Sequence, residues 1–94
     1  MTIFIDDVEF KTEPMFWEYI SKSFGKGAEG IKDKEGLRAA MLERPDEVEF
    51  YFYDYEDIIP EMEDFAQDIA EFLDALKAEK KDLKIYYRSG ADGL

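Results

Sequence analysis

Three apolar runs along the chain alternate with segments whose apolar positions recur at helical spacing. The runs are rich in β-branched and aromatic residues and cover Thr2–Ile5, Val48–Tyr53 and residues 83–87. Such composition predicts β-strands. The middle run places phenylalanines on one face and tyrosines on the other. Because both faces are apolar or amphipathic, we expect this strand to be covered on both sides.

Three helices are predicted between these strands. Thr12 is an N-cap candidate with Pro14 in the first turn, and Gly25 is the stop signal of that helix. A weaker helix is predicted over residues 33–42, and a long helix is predicted to open at Asp57 or a neighbour. We place a group of basic residues in the last turn of the long helix: Lys77, Lys80 and Lys81.

This alternation of strands and helices predicts an α/β fold. We expect a small three-stranded parallel sheet with the helices packed on it, in the chain order β-α-α-β-α-β. The core is predicted to contain Phe50, Phe52, Phe65, Ile69, Leu73 and Ile85. Its 94 residues suit a single domain over residues 1–94, with residues 89–94 as a flexible tail. The pattern leaves the order of the strands in the sheet open.

Charge adds to this picture because it is concentrated in one third of the chain. Asp and Glu total 24 against 12 Lys and Arg, which gives a formal net charge of −12. Residues 43–74 hold 13 of the acids and a single base, Arg44. A block of one sign creates a directed field that attracts a partner of opposite sign. We therefore predict a basic protein partner, and no direct binding to nucleic acid or to a membrane.

The composition also excludes several kinds of chemistry. The chain has no Cys and no His, so it lacks a thiol nucleophile, the commonest general base and the usual zinc ligands. Paired carboxylates run glycoside hydrolysis, but no pair is marked out here. We predict that the protein is not an enzyme and uses no cofactor.

The sequence also predicts the cellular compartment of the protein. The first residues lack the basic part and the apolar part of a signal peptide, and no stretch is long enough to span a bilayer. We expect a cytoplasmic protein.

A divalent metal site is a further alternative. Asp6, Asp7, Asp54, Glu56 and Asp57 follow predicted strands and can meet near one end of the sheet. Carboxylate oxygens suit Mg²⁺ or Ca²⁺, but the spacing is not that of an EF-hand. Because acids after a strand are common turn formers, we predict no metal site, while the sequence leaves binding of a divalent ion open.

Element order and three stretches of sequence carry a resemblance. Residues 69–85 form a helix, a polar turn and a strand, residues 5–10 form a first strand with a short turn, and residues 23–25 close the first helix with an aromatic–glycine pair. In these features, and in element order over nearly its full length, the chain resembles the barstar-type family of intracellular ribonuclease inhibitors and immunity proteins.

The resemblance implies that the protein blocks a ribonuclease with its second helix and the preceding loop, helped by an acid early in the last helix. By position, Asp33 and Glu35 fall near the start of that second helix. Ala39 stands where the family has an inserting acid, and Gln67 stands at the acidic position of the last helix. These departures leave the expected fold intact and the identity of the target open.

We therefore predict an immunity or antitoxin protein that blocks the basic active site of a secreted or contact-delivered nuclease toxin, with carboxylates in place of phosphates. The predicted partner-binding residues are six acids and two candidate aromatic anchors: Asp33, Glu35, Asp57, Glu61, Asp64, Asp68, Phe24 and Tyr55. One alternative is an acidic nucleic-acid mimic that binds a DNA-binding or restriction protein. Another is a structural or regulatory partner whose acids only keep it soluble.

Overall fold

Three parallel strands form one sheet in the computed structural model, which describes residues 1–27 and 30–88. The strands are β1 (Thr2–Ile5), β2 (Val48–Tyr53) and β3 (Leu83–Arg88). They lie in the order β1-β2-β3, with β2 in the middle. The predicted α/β class and the parallel sheet are confirmed. The bounds of β1 and β2 are those expected, and β3 is one residue longer than expected.

Three α-helices connect the strands: α1 (Glu13–Ser23), α2 (Lys34–Glu43) and α3 (Glu63–Leu76). The Thr12 side chain accepts a hydrogen bond from the Met15 backbone N–H at 3.2 Å and begins α1. Asp33 does the same for α2, where its carboxylate accepts from the Gly36 N–H at 2.8 Å. Both helices therefore begin at side chains that satisfy an otherwise unpaired backbone donor.

The long helix begins later than the sequence predicts. Two 3-10 turns, Tyr55–Asp57 and Pro60–Met62, fill the segment in which an opening at Asp57 was expected. Pro60 disfavours helical backbone at the residue before it, so a helix that opened at Asp57 would be interrupted there. The expected opening at Asp57 is therefore wrong, and α3 begins at Glu63.

The end of α3 also differs, because the helix ends at Leu76, before the lysines assigned to its last turn. Lys80 is instead buried, at 7% exposure, in the connection to β3. Its ammonium group donates to the backbone carbonyls of Arg44 and Asp46 at 3.0 and 2.9 Å and pairs with Asp82 at 3.1 Å. Lys80 therefore links the α2–β2 connection to the α3–β3 connection, and it does not compensate the dipole of α3.

All three helices cover the same face of the sheet. Both strand-to-strand connections move across the sheet in the same direction, and such connections are right-handed. Two right-handed connections that cross the sheet in the same direction lie on the same face of the sheet. Along β2, accordingly, Val48, Phe50 and Phe52 are buried, whereas Glu49, Tyr51 and Tyr53 are only partly buried. The expectation that β2 is covered on both sides is wrong for the described residues.

The core lies between this face and the helices. Of the predicted core residues, Phe50, Phe52, Ile69 and Leu73 are buried, and Phe65 and Ile85 are partly buried against them. The 3-10 turn Asp7–Phe10 adds Phe10, whose ring stacks on that of Phe16 from α1 at 4.9 Å. None of the helices in residues 1–27 and 30–88 has the length and hydrophobicity needed to cross a membrane. The predicted flexible tail at 89–94 lies outside the described residues.

Candidate functional site

Acidic side chains meet at the edge of the sheet where the strands end. Asp6 and Asp7 follow β1, and Asp54 follows β2, so parallel pairing brings them to the same edge. Carboxylate oxygens of Asp6, Asp7 and Asp54 lie within 4.8 Å of one another, and so do those of Asp54, Glu56 and Asp57. We call these five residues, Asp6, Asp7, Asp54, Glu56 and Asp57, the acidic edge.

Local hydrogen bonds explain why acids suit these positions. The Asp6 carboxylate accepts from the Asp7 N–H at 2.8 Å, and the Glu9 carboxylate accepts from the Asp6 N–H at 3.3 Å, forming a capping box. Asp54 has a φ of 54°, in the left-handed region that Asp tolerates better than most residues. Its backbone carbonyl accepts from the Asp57 N–H at 2.9 Å and closes the next turn.

The electrostatics of the acidic edge are those of crowded like charges. The pKa of Asp7 is raised, first by its hydrogen bond with Asp6, then by burial and by the charges of Asp6, Asp54 and Asp57. Because the pKa of Asp7 is higher in the folded protein than in the unfolded chain, Asp7 stabilises the fold at pH values below its pKa in the unfolded chain. This stabilisation is lost as the pH rises through its pKa in the folded protein. Carboxylates this close to one another repel when they are ionised, and a cationic partner would relieve that repulsion.

Elsewhere, ion pairs neutralise five of the 13 acids of the segment 43–74. Basic residues from several elements pair with its acids at 2.8–3.6 Å, in the pairs Lys26–Glu43, Lys34–Asp68, Arg44–Asp46, Lys77–Asp74 and Lys84–Glu47. In contrast, the acids between the end of β2 and the first turn of α3 include a group without an ion pair to any described residue: Glu56, Asp57, Glu61, Glu63 and Asp64. We call this group the unpaired acids.

A groove of about 350 Å³ lies beside the unpaired acids. It is lined by Tyr55, Glu56, Ile58, Glu63, Ala66 and Gln67. The Tyr55 ring is partly buried, with edge contacts to Phe52 at 6.1 Å and Tyr87 at 5.4 Å between centroids. Burial is the largest of the effects that raise the pKa of the Tyr55 hydroxyl. Tyr55 therefore offers a fixed aromatic side chain next to a surface of negative charge.

The structure divides the predicted partner-binding residues into two groups. Asp57, Glu61 and Asp64 lie on the segment between β2 and α3, with Tyr55 at the groove. Asp33 and Glu35 lie at the start of α2, and Asp68 joins them through its 2.8 Å ion pair with Lys34.

Phe24, one of the two predicted aromatic anchors, lies in the core and not at the surface. Its side chain belongs to the core cluster at 9% exposure, and its backbone N–H caps α1. It therefore offers little surface to a partner. Conversely, the sequence predicts Asp6, Asp7, Asp54 and Glu56 only for the alternative metal site, and Glu63 is not among the predicted partner-binding residues. The signal that finds the first four is the shared carboxyl edge of parallel strands.

Three carboxylate oxygens within 4.8 Å are able to bind a hard divalent cation or the basic side chains of a protein. No other feature of the described residues points to an ion. No protein-family model and no curated protein matches the chain. Function therefore has to be inferred from the charge and geometry of the site.

Proposed function

We propose that the protein is a cytoplasmic immunity or antitoxin protein without catalysis of its own. It inhibits a cognate nuclease toxin, a ribonuclease, by placing the acidic edge and the unpaired acids against the enzyme's basic active site. The observation that supports this most is the separation of charge. Five acids of the segment 43–74 are ion-paired, whereas the unpaired acids, which follow one another along the chain between β2 and the first turn of α3, have no counter-ion among the described residues.

The physical advantage of such a surface is that its charges are available to a partner. Carboxylates that are not engaged within the protein accept charge-assisted hydrogen bonds from Lys and Arg at the positions that phosphates take in the substrate. Their long-range field raises the association rate toward about 10⁸ M⁻¹s⁻¹ at low salt. Binding of a cation also relieves the repulsion between carboxylates whose oxygens lie within 4.8 Å of one another.

The compactness of the acidic edge favours this function over a mimic of double-stranded nucleic acid. A mimic of a phosphate backbone needs charges distributed along a line that follows the duplex. Here two triads share Asp54 and keep their oxygens within 4.8 Å. A cluster of this size suits a single pocket, such as the active site of a small ribonuclease. Tyr55 then lies at the margin of the contact as an aromatic anchor.

An inhibition assay with the product of the gene that neighbours the gene of this chain tests the proposal, which predicts that this product is a nuclease. The edge variant combines Asp57→Asn, Glu61→Gln and Asp64→Asn. The control variant combines Glu43→Gln, Glu47→Gln and Asp74→Asn, which removes the same charge from ion-paired acids of the same segment. We expect equimolar wild-type protein to abolish RNA cleavage and the edge variant to inhibit at least 100-fold more weakly, because each lost interfacial charge pair costs about 2–5 kcal/mol.

The control variant is expected to inhibit within a few-fold of wild type. Equal losses in the two variants would mean that only net charge matters, and would contradict a site at the unpaired acids. A neighbouring gene product without nuclease activity, or a nuclease that the wild-type protein leaves active, would contradict the proposed function itself.

A further inference from the structure

The uncovered face of the sheet carries a row of aromatic rings. Phe4, Tyr51 and Tyr86 stand opposite one another in the strand register. Their ring centroids are 5.4 Å apart between Phe4 and Tyr51 and 4.8 Å apart between Tyr51 and Tyr86. Tyr53 adjoins them, 6.0 Å from Phe4 and 6.5 Å from Tyr51. We call Phe4, Tyr51, Tyr53 and Tyr86 the aromatic row.

This row is open to solvent because the topology puts every helix on the other face. Phe4 ends the row on the edge strand β1, and no described strand lies beyond it. Its side chain is 52% exposed. An open sheet face normally carries polar side chains, and contiguous exposed apolar surface marks interaction sites. The aromatic row therefore has the character of a binding surface.

Carboxylates flank the aromatic row at both ends of the strands. Toward the start of β2, the Tyr51 hydroxyl donates to the Glu49 carboxylate at 3.4 Å. Toward the end of β2, Tyr53 is followed directly by Asp54 of the acidic edge. The faces of aromatic rings are themselves electron-rich and attract cations. The row therefore has carboxylates beyond both of its ends, and its rings and these carboxylates favour positive charge alike.

The structure contains an example of the cation that this surface accepts. The Arg88 guanidinium lies over the Tyr86 ring, 5.3 Å from its centroid. A planar and weakly hydrated guanidinium stacks on aromatic rings better than a compact ammonium does. We infer that the aromatic row binds arginine side chains of the basic partner, beside the contacts made by the acidic edge. This inference rests on the proposed function only in requiring a basic protein partner.

A second copy of this chain suits the face less well. Three strands about 4.8 Å apart and about 20 Å long present roughly 300 Å². A stable interface needs about 800 Å² from each partner. Each copy would also bring a formal charge of −12 to the contact, and like charges brought together at an interface disfavour it.

Binding of octa-arginine and octa-lysine peptides, which carry equal charge, tests the inference. We expect wild-type protein to bind octa-arginine several-fold more tightly than octa-lysine in isothermal titration. Phe4→Leu and Tyr86→Leu keep an apolar side chain but remove a ring. Each should lower the affinity for octa-arginine about two- to fivefold and change octa-lysine binding less. Met15→Leu is the matched control, because Met15 is 47% exposed on α1 and lies outside the row.

Arg88→Ala provides a variant expected to gain affinity. Removal of this side chain uncovers the Tyr86 ring and deletes one positive charge. The lost charge helps both peptides alike, whereas the uncovered ring helps octa-arginine more than octa-lysine. We expect the preference for octa-arginine to increase, with folding checked by circular dichroism.

The edge variant separates this inference from the proposed function. It should weaken both peptides alike and leave the preference for arginine intact. Equal affinities for the two peptides in wild type, or an arginine preference that survives loss of both Phe4 and Tyr86 rings, would overturn the inference. So would a concentration-dependent dimer in sedimentation that Phe4→Leu abolishes, because it would show that a second copy occupies the face. An arginine preference in a protein that fails to inhibit the nuclease would overturn the proposed function alone.

Discussion

Replacement of Phe50 by alanine tests which face of the sheet forms the core. Phe50 lies in the middle of β2, fully buried, opposite Ile3 and Ile85, with its ring 6.3 Å from that of Phe52. The change removes a large apolar side chain and leaves a cavity that the neighbouring strands cannot close, at a cost of about 3–5 kcal/mol. Total stability for a domain of this size is about 5–15 kcal/mol. The melting temperature should therefore fall by roughly 15–30 °C.

Tyr51→Ala is the matched control, because Tyr51 is the next residue of the same strand and lies on the uncovered face. It loses two cross-strand ring contacts, to Phe4 and Tyr86. Each contact is worth about 0.2–1 kcal/mol, so the expected loss is about 0.5–2 kcal/mol. Urea unfolding measures both variants. A loss below about 1 kcal/mol for Phe50→Ala, or equal losses for the two variants, would refute the assignment of the faces.

Three further predictions concern single polar contacts. Lys80→Met should cost roughly 1.5–3 kcal/mol in urea unfolding, because the carbonyls of Arg44 and Asp46 lose a charged donor; unchanged stability would contradict the bridging role. Ser21→Ala should cost about 1–3 kcal/mol, because the buried Ser21 hydroxyl donates to the Ile31 carbonyl at 2.9 Å and accepts from its N–H at 2.7 Å; protection of the Ile31 amide from hydrogen exchange should fall with it. Arg44 lowers the pKa of Asp46 from 3.8 to about 2, so Asp46 stabilises the fold at pH values above its pKa in the unfolded chain and loses this effect as the pH falls toward about 2. The difference in stability between wild type and Asp46→Asn should vanish over that pH range, and a constant difference would contradict the Arg44–Asp46 pair.

Local sequence patterns were sufficient to locate the elements of this fold. β-branched and aromatic runs marked the strands, the N-cap Thr12 marked the start of α1, and the predicted start of the second helix near residue 33 agrees with α2. The start of α3 was missed because the two 3-10 turns around Pro60 carry acids that resemble the first turn of a helix. Such turns depend on how the chain leaves β2 and are weakly encoded by composition.

The cover of the sheet and the pairing of its charges depend on tertiary structure. One-sided cover follows from the strand order β1-β2-β3, which a single sequence does not reveal. The pairs Lys34–Asp68 and Lys84–Glu47 join residues far apart in the chain. Counting charges along the sequence therefore predicted an acidic surface but could not distinguish neutralised acids from available ones. Burial of Phe24 has the same origin, since a helix-end aromatic becomes core or surface only when the loop after it is placed.

The salt dependence of association between this protein and the proposed nuclease partner, sought in the product of the neighbouring gene, tests the central claim most directly. In stopped-flow mixing, the wild-type rate constant should approach about 10⁸ M⁻¹s⁻¹ at low salt and fall steeply as salt screens the field. The edge variant (Asp57→Asn, Glu61→Gln and Asp64→Asn) should associate more slowly and with a shallower salt dependence. The control variant with the same charge (Glu43→Gln, Glu47→Gln and Asp74→Asn) should follow wild type more closely. Identical kinetics of wild type and the edge variant across salt concentrations would contradict the claim that the unpaired acids form the binding site.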